Sequence, residues 1–220
     1  MAQIYSATTD GYVYKYVTDT WANVRDAGTG SNSSSSAHYY HRCIRTFHTG
    51  GRGGDTYFVG RSFFAFNTSG ISSAPSAATL KIYGYSNGDG DVIAVKATKP
   101  DLSTGIAVAD FDAITGFTAG ASMNGNVTDY SAEVSTWSTS GYNDITLNSK
   151  ALSDMASLSV FAVCLVEYDH DYLNSAPSEA DFDSGCWFAD EELTGKDPYI
   201  DYTAGVAAAA DNATFFGANF

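Results

Sequence analysis

Short runs in which apolar and polar residues alternate, separated by turn-forming residues, recur along most of this 220-residue chain. These runs and their apolar neighbours are YVYKYV, TYFV, RSFFAF, ATLKIYGY, DVIAVKAT, LSVFAVCLVEY and PYIDYT. Side chains on a strand point alternately to its two faces, so an alternating run turns one face to a core and one to solvent. Many short strands and almost no helical pattern predict an all-β fold: an antiparallel two-sheet β-sandwich or jelly roll.

One segment departs from this pattern. SKALSDMAS, residues 149–157, follows Asn148, which can cap a helix, and predicts one short helix. The last run predicts that a sandwich domain over residues 1–203 is followed by an extended tail over residues 204–220. Bulky apolar residues in or near the runs are expected to form the core: Phe64, Phe66, Leu80, Ile82, Trp137, Val160 and Phe161.

The chain is acidic, with 25 acidic against 11 basic residues and a formal net charge of −14. Nucleic acids and anionic membranes attract cationic surfaces, so neither is an expected partner. The N-terminus lacks the cationic start and apolar stretch of a secretory signal, and no apolar run has the length of a membrane span. We therefore expect a protein made in the cytoplasm without a signal peptide.

The charges are distributed unevenly. Residues 38–61, the basic segment, hold four arginines, whereas residues 167–201, the acidic segment, hold 11 acids and one lysine. Two solvated loops are the simplest interpretation. The alternative is a head-to-tail contact, in which the basic segment of one copy meets the acidic segment of the next.

The cysteines are too few and too scattered for a disulfide framework: Cys43, Cys164 and Cys186. Buried thiols are the default for a chain that folds in the cytoplasm. Cys164 and Cys186 could face each other on paired strands, which would leave Cys43 free.

Tyr12, Tyr14 and Tyr16 occupy every second position of the first run and therefore share one face of the strand. This tyrosine row could be sandwich interior, a platform for sugars or a subunit interface. A buried hydroxyl needs a hydrogen-bond partner, whereas interfaces are enriched in tyrosine because it joins a large apolar area to a polar tip. The row is therefore predicted to lie in a subunit interface.

The tail also predicts assembly. It ends in three phenylalanines, Phe215, Phe216 and Phe220. Exposed aromatic residues on a free tail favour aggregation, and burying each one contributes about 1.5–3 kcal/mol. We expect the tail to pack on its own domain or on a neighbouring subunit.

Acidic loops suggest a possible structural calcium ion. Asp89 and Asp91 in NGDGD, and Asp169 and Asp171 in EYDHD, offer the hard oxygen ligands that calcium prefers. No nucleophile elbow, P-loop or zinc-protease motif is present, and carboxylates this dense form close pairs by chance. No catalytic residue is assigned, and the chain is not expected to be an enzyme.

GRSFFAFNTSGISSAPSAATLKIYGY, beginning at Gly60, resembles a segment of DNRLRE-type domains. An opening ATTDGYVYKY, a central STWSTSGYNDITLN and a closing DPYIDYT stand in the order of that family, so the resemblance covers roughly residues 5–203. It implies a jelly-roll sandwich. The relatives it implies are carbohydrate-binding modules of secreted bacterial proteins and virion proteins of tailed phages.

The expected absence of a signal peptide favours the phage virion proteins over the secreted modules among these implied relatives. The predicted function is a non-enzymatic structural protein of a multi-subunit assembly: a phage virion subunit, either capsid decoration or tail-associated, made in the host cytoplasm. Its predicted partners are copies of itself and other virion proteins. The alternative is a carbohydrate-binding module or surface adhesin, whose partners would be glycans.

Overall fold

The computed structural model describes residues 1–34, 43–178, 180–189 and 195–206, together with the backbone of residues 39–40. One antiparallel sheet has four strands in the order β1 (Ala2–Tyr5), β13 (Tyr199–Thr203), β7 (Ala77–Tyr83) and β9 (Tyr142–Thr146). The second, seven-stranded sheet has the path β11 (Asp181–Asp183), β5 (Arg45–Thr49), β6 (Thr56–Asn67), β10 (Val160–Glu167) and β8 (Val92–Lys96). Its remaining strands are β2 (Gly11–Thr18), which pairs with β6, and β3 (Asn32–Ser34), which pairs with β2. A short pair joins β12 (Cys186–Trp187) to β4 (Tyr39–Tyr40).

The predicted all-β antiparallel sandwich is confirmed. The first and last strands, β1 and β13, are neighbours in the four-stranded sheet. The chain crosses between the sheets from β1 to β2 and at each step from β6 to β10, because β7 and β9 belong to the four-stranded sheet and β6, β8 and β10 to the other. These crossings connect the two sheets into one sandwich.

Two hydrophobic cores lie on opposite faces of the seven-stranded sheet. The first core fills the space between the sheets and contains every predicted core residue except Val160, which is half-buried. The second core lies on the outer face of the seven-stranded sheet, under residues 97–127 and the helix α1 (Trp21–Arg25). β6 contributes Phe64 and Phe66 to the first core and Phe63 to the second, so it is buried on both faces.

The predicted helix is confirmed as α2 (Ser149–Ser157). The Asn148 side chain accepts hydrogen bonds from the backbone N–H groups of Lys150 and Ala151, at 3.0 and 3.2 Å. Three short helical segments were not predicted: α1, a 3-10 turn at Val108–Asp110 and a π-helical turn at Tyr168–Tyr172. Each spans at most five residues, which is too short to show a helical period in the sequence.

The last strand of the four-stranded sheet ends at Thr203. Phe215, Phe216 and Phe220 lie outside the described residues, so their contact with the domain or with a neighbouring subunit stays a prediction. Among the helices that the structure describes, none is long and apolar enough to cross a membrane.

Candidate functional site

The tyrosine row runs from the interior of the sandwich to its surface. Tyr12 is 5% exposed and packs in the first core against Phe188, with 6.1 Å between the ring centroids. Tyr14 is half-buried and stacks on Tyr12 at 6.2 Å, whereas Tyr16 is 51% exposed. The row therefore begins as sandwich interior and ends at the surface, where its contact with a subunit or a glycan stays a prediction.

A cleft lies at the exposed end of the row. Tyr16, Phe58 and Phe47 lie directly opposite one another on β2, β6 and β5. The guanidinium of Arg45 lies over the rings of Phe58 and Phe47, at 5.1 and 5.4 Å from their centroids. These four residues line an open cleft of about 220 Å³, here called the aromatic cleft. Ring faces and a cation in one concave surface can stack on a ligand and hydrogen-bond to it.

An ion pair borders the aromatic cleft. Arg45 donates two hydrogen bonds to Asp181 on the neighbouring strand β11: Nε to Oδ1 at 2.6 Å and Nη2 to Oδ2 at 2.5 Å. The paired geometry holds the guanidinium in one orientation over the rings. Asp181 is 43% exposed on its side chain, so its carboxylate stays accessible to a ligand in the cleft.

The basic and acidic segments meet within one chain. Arg45 pairs with Asp181 at the surface, and Arg61 pairs with Asp171 in the interior, at 2.7 Å between Nε and Oδ2. The Arg61–Asp171 pair is fully buried and is therefore neither solvated nor available to another copy, whereas the Arg45–Asp181 pair stays partly exposed. Both sequence interpretations are wrong for Arg61 and Asp171, because packing of the π-helical turn on β6 buries the two charges together. A head-to-tail contact through the remaining charges stays a prediction.

A second aromatic surface covers the outer face of the four-stranded sheet, the face turned away from the first core. Tyr5 lies opposite Tyr199, and Tyr83 lies opposite Tyr142. The ring centroids are 5.5 Å apart for Tyr5 and Tyr199, 5.0 Å for Tyr199 and Tyr142, and 5.2 Å for Tyr142 and Tyr83. The four rings therefore form a continuous row across strands β1, β13, β9 and β7.

Lys196 extends this row. Its ammonium nitrogen lies 5.1 Å from the centroid of Tyr83 and 3.7 Å from that of Trp187, which meets the ring of Tyr85 edge-on at 6.0 Å. We call the whole surface the tyrosine face; it consists of Tyr5, Tyr83, Tyr85, Tyr142, Trp187 and Tyr199. Tyr5 and Tyr85 are its most exposed members, at 55% and 38%.

Hydrogen bonds hold the centre of the tyrosine face in place. The Tyr142 hydroxyl donates to the backbone carbonyl oxygen of Gly195 or of Asp197, at 3.1 and 3.3 Å. Burial and the neighbouring Tyr199 and Asp197 raise the pKa of Tyr142 to about 12, so its hydroxyl keeps its proton at neutral pH. The Tyr142 hydroxyl is therefore held in place and uncharged, while the ion pair of Lys81 and Asp144, with 2.6 Å between Nζ and Oδ2, adds charged groups to the same face.

Sequence analysis missed the tyrosine face, although a signal was present. In the run ATLKIYGY, Lys81 and Tyr83 alternate with the buried Leu80 and Ile82 and therefore point away from the core. Tyr199 likewise alternates with the buried Ile200. Each run, taken alone, shows an ordinary solvent face, and only the strand order brings the tyrosines of separate runs together.

Asp171, one of the four predicted calcium ligands, lies in a buried network of Arg25, Arg61 and Asp171. Its carboxylate accepts hydrogen bonds from Arg61 Nε and Nη2, at 2.7 and 2.8 Å, and all three side chains are fully buried. Arg25 Nε donates to the backbone carbonyl oxygen of Asp171 at 3.0 Å. The prediction of Asp171 as a calcium ligand is therefore wrong, because guanidinium groups already occupy its carboxylate.

The other predicted calcium ligands lie at the surface near a glutamate that sequence analysis did not select. Burial, a hydrogen bond with Asp91 and the charge of Asp169 raise the pKa of Glu133. Burial, Glu167 and Asp91 likewise raise the pKa of Asp169. Within the described ranges, no group of three or more His, Cys, Asp or Glu residues is arranged to hold a metal ion. Calcium at Asp89, Asp91 and Asp169 stays a prediction.

The cysteines pair differently from the expectation. Cys164 lies in the second core and Cys186 in the first, so the seven-stranded sheet separates the two thiols. Cys186 instead lies beside Cys43, at 3.3 Å between the two Sγ atoms. Cys164 and Cys186 therefore do not face each other, as they could have done on paired strands, because the two residues belong to opposite faces of the sheet; all three cysteines are buried, as the default interpretation has it.

No protein-family model matches this chain, and a search of curated proteins finds no match to it. The resemblance to DNRLRE-type domains therefore stays a prediction from the sequence.

Proposed function

We propose that this protein is a non-enzymatic structural subunit of a multi-subunit assembly, and that the tyrosine face is its main contact surface. The observation that carries the proposal is a row of four tyrosine rings on the outer face of the four-stranded sheet, which Lys196 joins to the adjacent pair of Trp187 and Tyr85. Large contiguous aromatic surfaces mark interaction sites, and subunit interfaces are enriched in tyrosine and tryptophan. Hydroxyl tips and Lys196 would serve the polar part of such a contact.

The setting that we propose is a phage virion, in which the subunit decorates the capsid or belongs to the tail. Support for this setting comes from the sequence resemblance and from the acidic composition, which argues against a nucleic-acid role. The proposed partners are further copies of this chain and other virion proteins. The exposed end of the tyrosine row and the tail would add contact area to the same assembly.

Removing the two most exposed rings of the tyrosine face tests the proposal. We expect Y5A/Y85A to raise the dissociation constant of the assembly about 100-fold, since losing an aromatic anchor from an interface costs 1–2 kcal/mol or more per residue. Size-exclusion chromatography with light scattering across a concentration series measures this constant. Circular dichroism checks that the variant stays folded.

The comparison variant is Tyr16→Ala, which removes a similarly exposed tyrosine at the end of the tyrosine row and should weaken assembly less than Y5A/Y85A. If Tyr16→Ala disperses the assembly and Y5A/Y85A leaves it intact, the tyrosine row is the interface instead. A wild-type chain that stays monomeric at every concentration, alone and with virion proteins, would contradict the assembly role.

A second candidate function, carbohydrate binding, is favoured by the aromatic cleft. Its ring faces can stack on a sugar ring, and the Arg45–Asp181 pair at its border offers donors and acceptors for hydroxyl groups. We expect Tyr16→Ala to weaken glycan binding at least about tenfold, which corresponds to about 1.4 kcal/mol. Isothermal titration with glycans selected on an array measures this loss, and Y5A/Y85A serves as the control that should bind normally.

A further inference from the structure

Two buried thiols lie side by side in the first core. The Sγ atoms of Cys43 and Cys186 are 3.3 Å apart, and both residues have no exposed surface. This separation is about 1.3 Å longer than a disulfide bond of about 2.0 Å. A small adjustment of the two side chains would therefore bring the sulfurs to bonding distance.

The backbone holds the two cysteines in this position. The backbone N–H of Cys186 donates to Cys43 Sγ at 3.1 Å, and that of Ser184 donates to the carbonyl oxygen of Ile44 at 2.9 Å. The chain before β12 therefore runs along the chain before β5. Cys186 also forms a bridge with Gly84, just beyond β7 of the four-stranded sheet. The thiols thus lie where segments from both sheets meet.

The third cysteine cannot compete for either partner. Cys164 is fully buried in the second core, opposite Phe63 and Val95 on the neighbouring strands. Its side chain points to the face of the seven-stranded sheet opposite that of Cys43 and Cys186. Reaching them would require the central strands of that sheet to separate.

We propose that Cys43 and Cys186 are a redox modification site: they form an intramolecular disulfide when the protein leaves a reducing cytoplasm and meets a small disulfide such as oxidised glutathione. The inference does not depend on the proposed assembly. The disulfide would lie where segments of both sheets meet, beside Trp187 of the tyrosine face.

The chemistry is thiol–disulfide exchange. One cysteine loses its proton and attacks the reagent disulfide, so a mixed disulfide forms and one reagent thiolate leaves and takes up a proton. The second cysteine loses its proton and attacks the protein sulfur of the mixed disulfide, which forms the Cys43–Cys186 bond and releases the second reagent thiol. The two cysteines are oxidised by two electrons, and one reagent disulfide is reduced to two thiols.

Local opening controls the rate of this reaction. Burial raises the pKa of Cys186 well above its ordinary value, so the closed protein holds an unreactive thiol. β12 spans two residues and pairs with a two-residue strand, so it can open without unfolding the sheets. We expect slow oxidation in buffer, accelerated by low concentrations of urea that promote opening.

Intact-mass spectrometry of the full-length chain, incubated with oxidised glutathione, tests the proposal. The expected product has lost two hydrogen atoms, and peptide mapping links Cys43 to Cys186 while Cys164 stays reduced. The cysteines are 143 positions apart, so the bond restricts the unfolded chain strongly, and we expect the melting temperature to rise by about 10 °C. A reducing agent should return it to the starting value.

Cys164→Ser serves as the matched variant and should still form the bond, whereas Cys43→Ala should abolish it. The mapping on the wild-type chain does not depend on whether Cys43→Ala folds. A linkage to Cys164, a dimer joined by disulfides, or three free thiols after prolonged oxidation in mild urea would each overturn the proposal.

Discussion

Replacing Asp171 with asparagine is expected to lower the free energy of unfolding by about 3–5 kcal/mol, among the largest effects for a single substitution in this chain. Asp171 provides the carboxylate between two fully buried arginines. Its removal leaves the positive charge of Arg61 without its carboxylate partner in a medium where water cannot solvate it, whereas Arg25 keeps its ion pair with Asp26 at 2.6 Å. Urea unfolding followed by tryptophan fluorescence at constant pH measures the loss.

The effect should extend to the layer that covers the second core. Arg61 Nη1 donates to the carbonyl oxygen of Phe111 at 2.8 Å, and Nη2 to that of Arg25 at 3.0 Å. One side chain therefore joins β6 to α1 and to residues 97–127. Because the cost comes from unpaired charge, the double variant R61M/D171L should recover much of the stability lost in Asp171→Asn.

The surface pair between Arg45 and Asp181 is the matched control. Asp181→Asn removes a carboxylate with the same two-bond geometry, but the side chain is 43% exposed and water replaces the lost contact. We expect a loss below about 1 kcal/mol. Equal losses in the two variants would mean that burial does not determine the contribution of the inner pair.

Phe161→Ala is expected to cost about 3–5 kcal/mol of unfolding free energy, because it leaves a cavity in the first core. The Phe161 ring is fully buried and stacks on Tyr130, with 4.8 Å between the ring centroids; the centroid of Phe66 lies 6.5 Å away. Phe66 is fixed on the neighbouring strand β6, and the Tyr130 hydroxyl donates to Asp154 at 2.6 Å, so neither ring can easily move into the space. Urea unfolding measures the cost.

Tyr16→Ala controls for the loss of an aromatic ring as such. Tyr16 is 51% exposed, so its removal takes little apolar area from the core and should cost well under half as much. If the two variants lost the same stability, the first core would not be the main source of the stability of the sandwich.

The sequence alone determines the fold class, the short helix and most of the core. Alternation in ATLKIYGY and the apolar run around Phe161 predict strands and buried positions. This prediction is local, because every second residue of a strand points to the same face and the buried face therefore shows in the sequence of that strand. Asn148 marks the start of α2 for the same reason, since a cap acts on the adjacent backbone.

Tertiary structure alone decides which distant residues meet. The sequence gives no sign that Arg61 is buried. It is buried because the irregular segment 97–127 covers the second face of the seven-stranded sheet, and the π-helical turn brings Asp171 to it. Cys186 meets Cys43 instead of Cys164, and tyrosines from separate runs form one face, through strand order and register. Strand order and register depend on pairing between residues far apart in the chain, and the local periodicity of one strand carries no information about its partner strand.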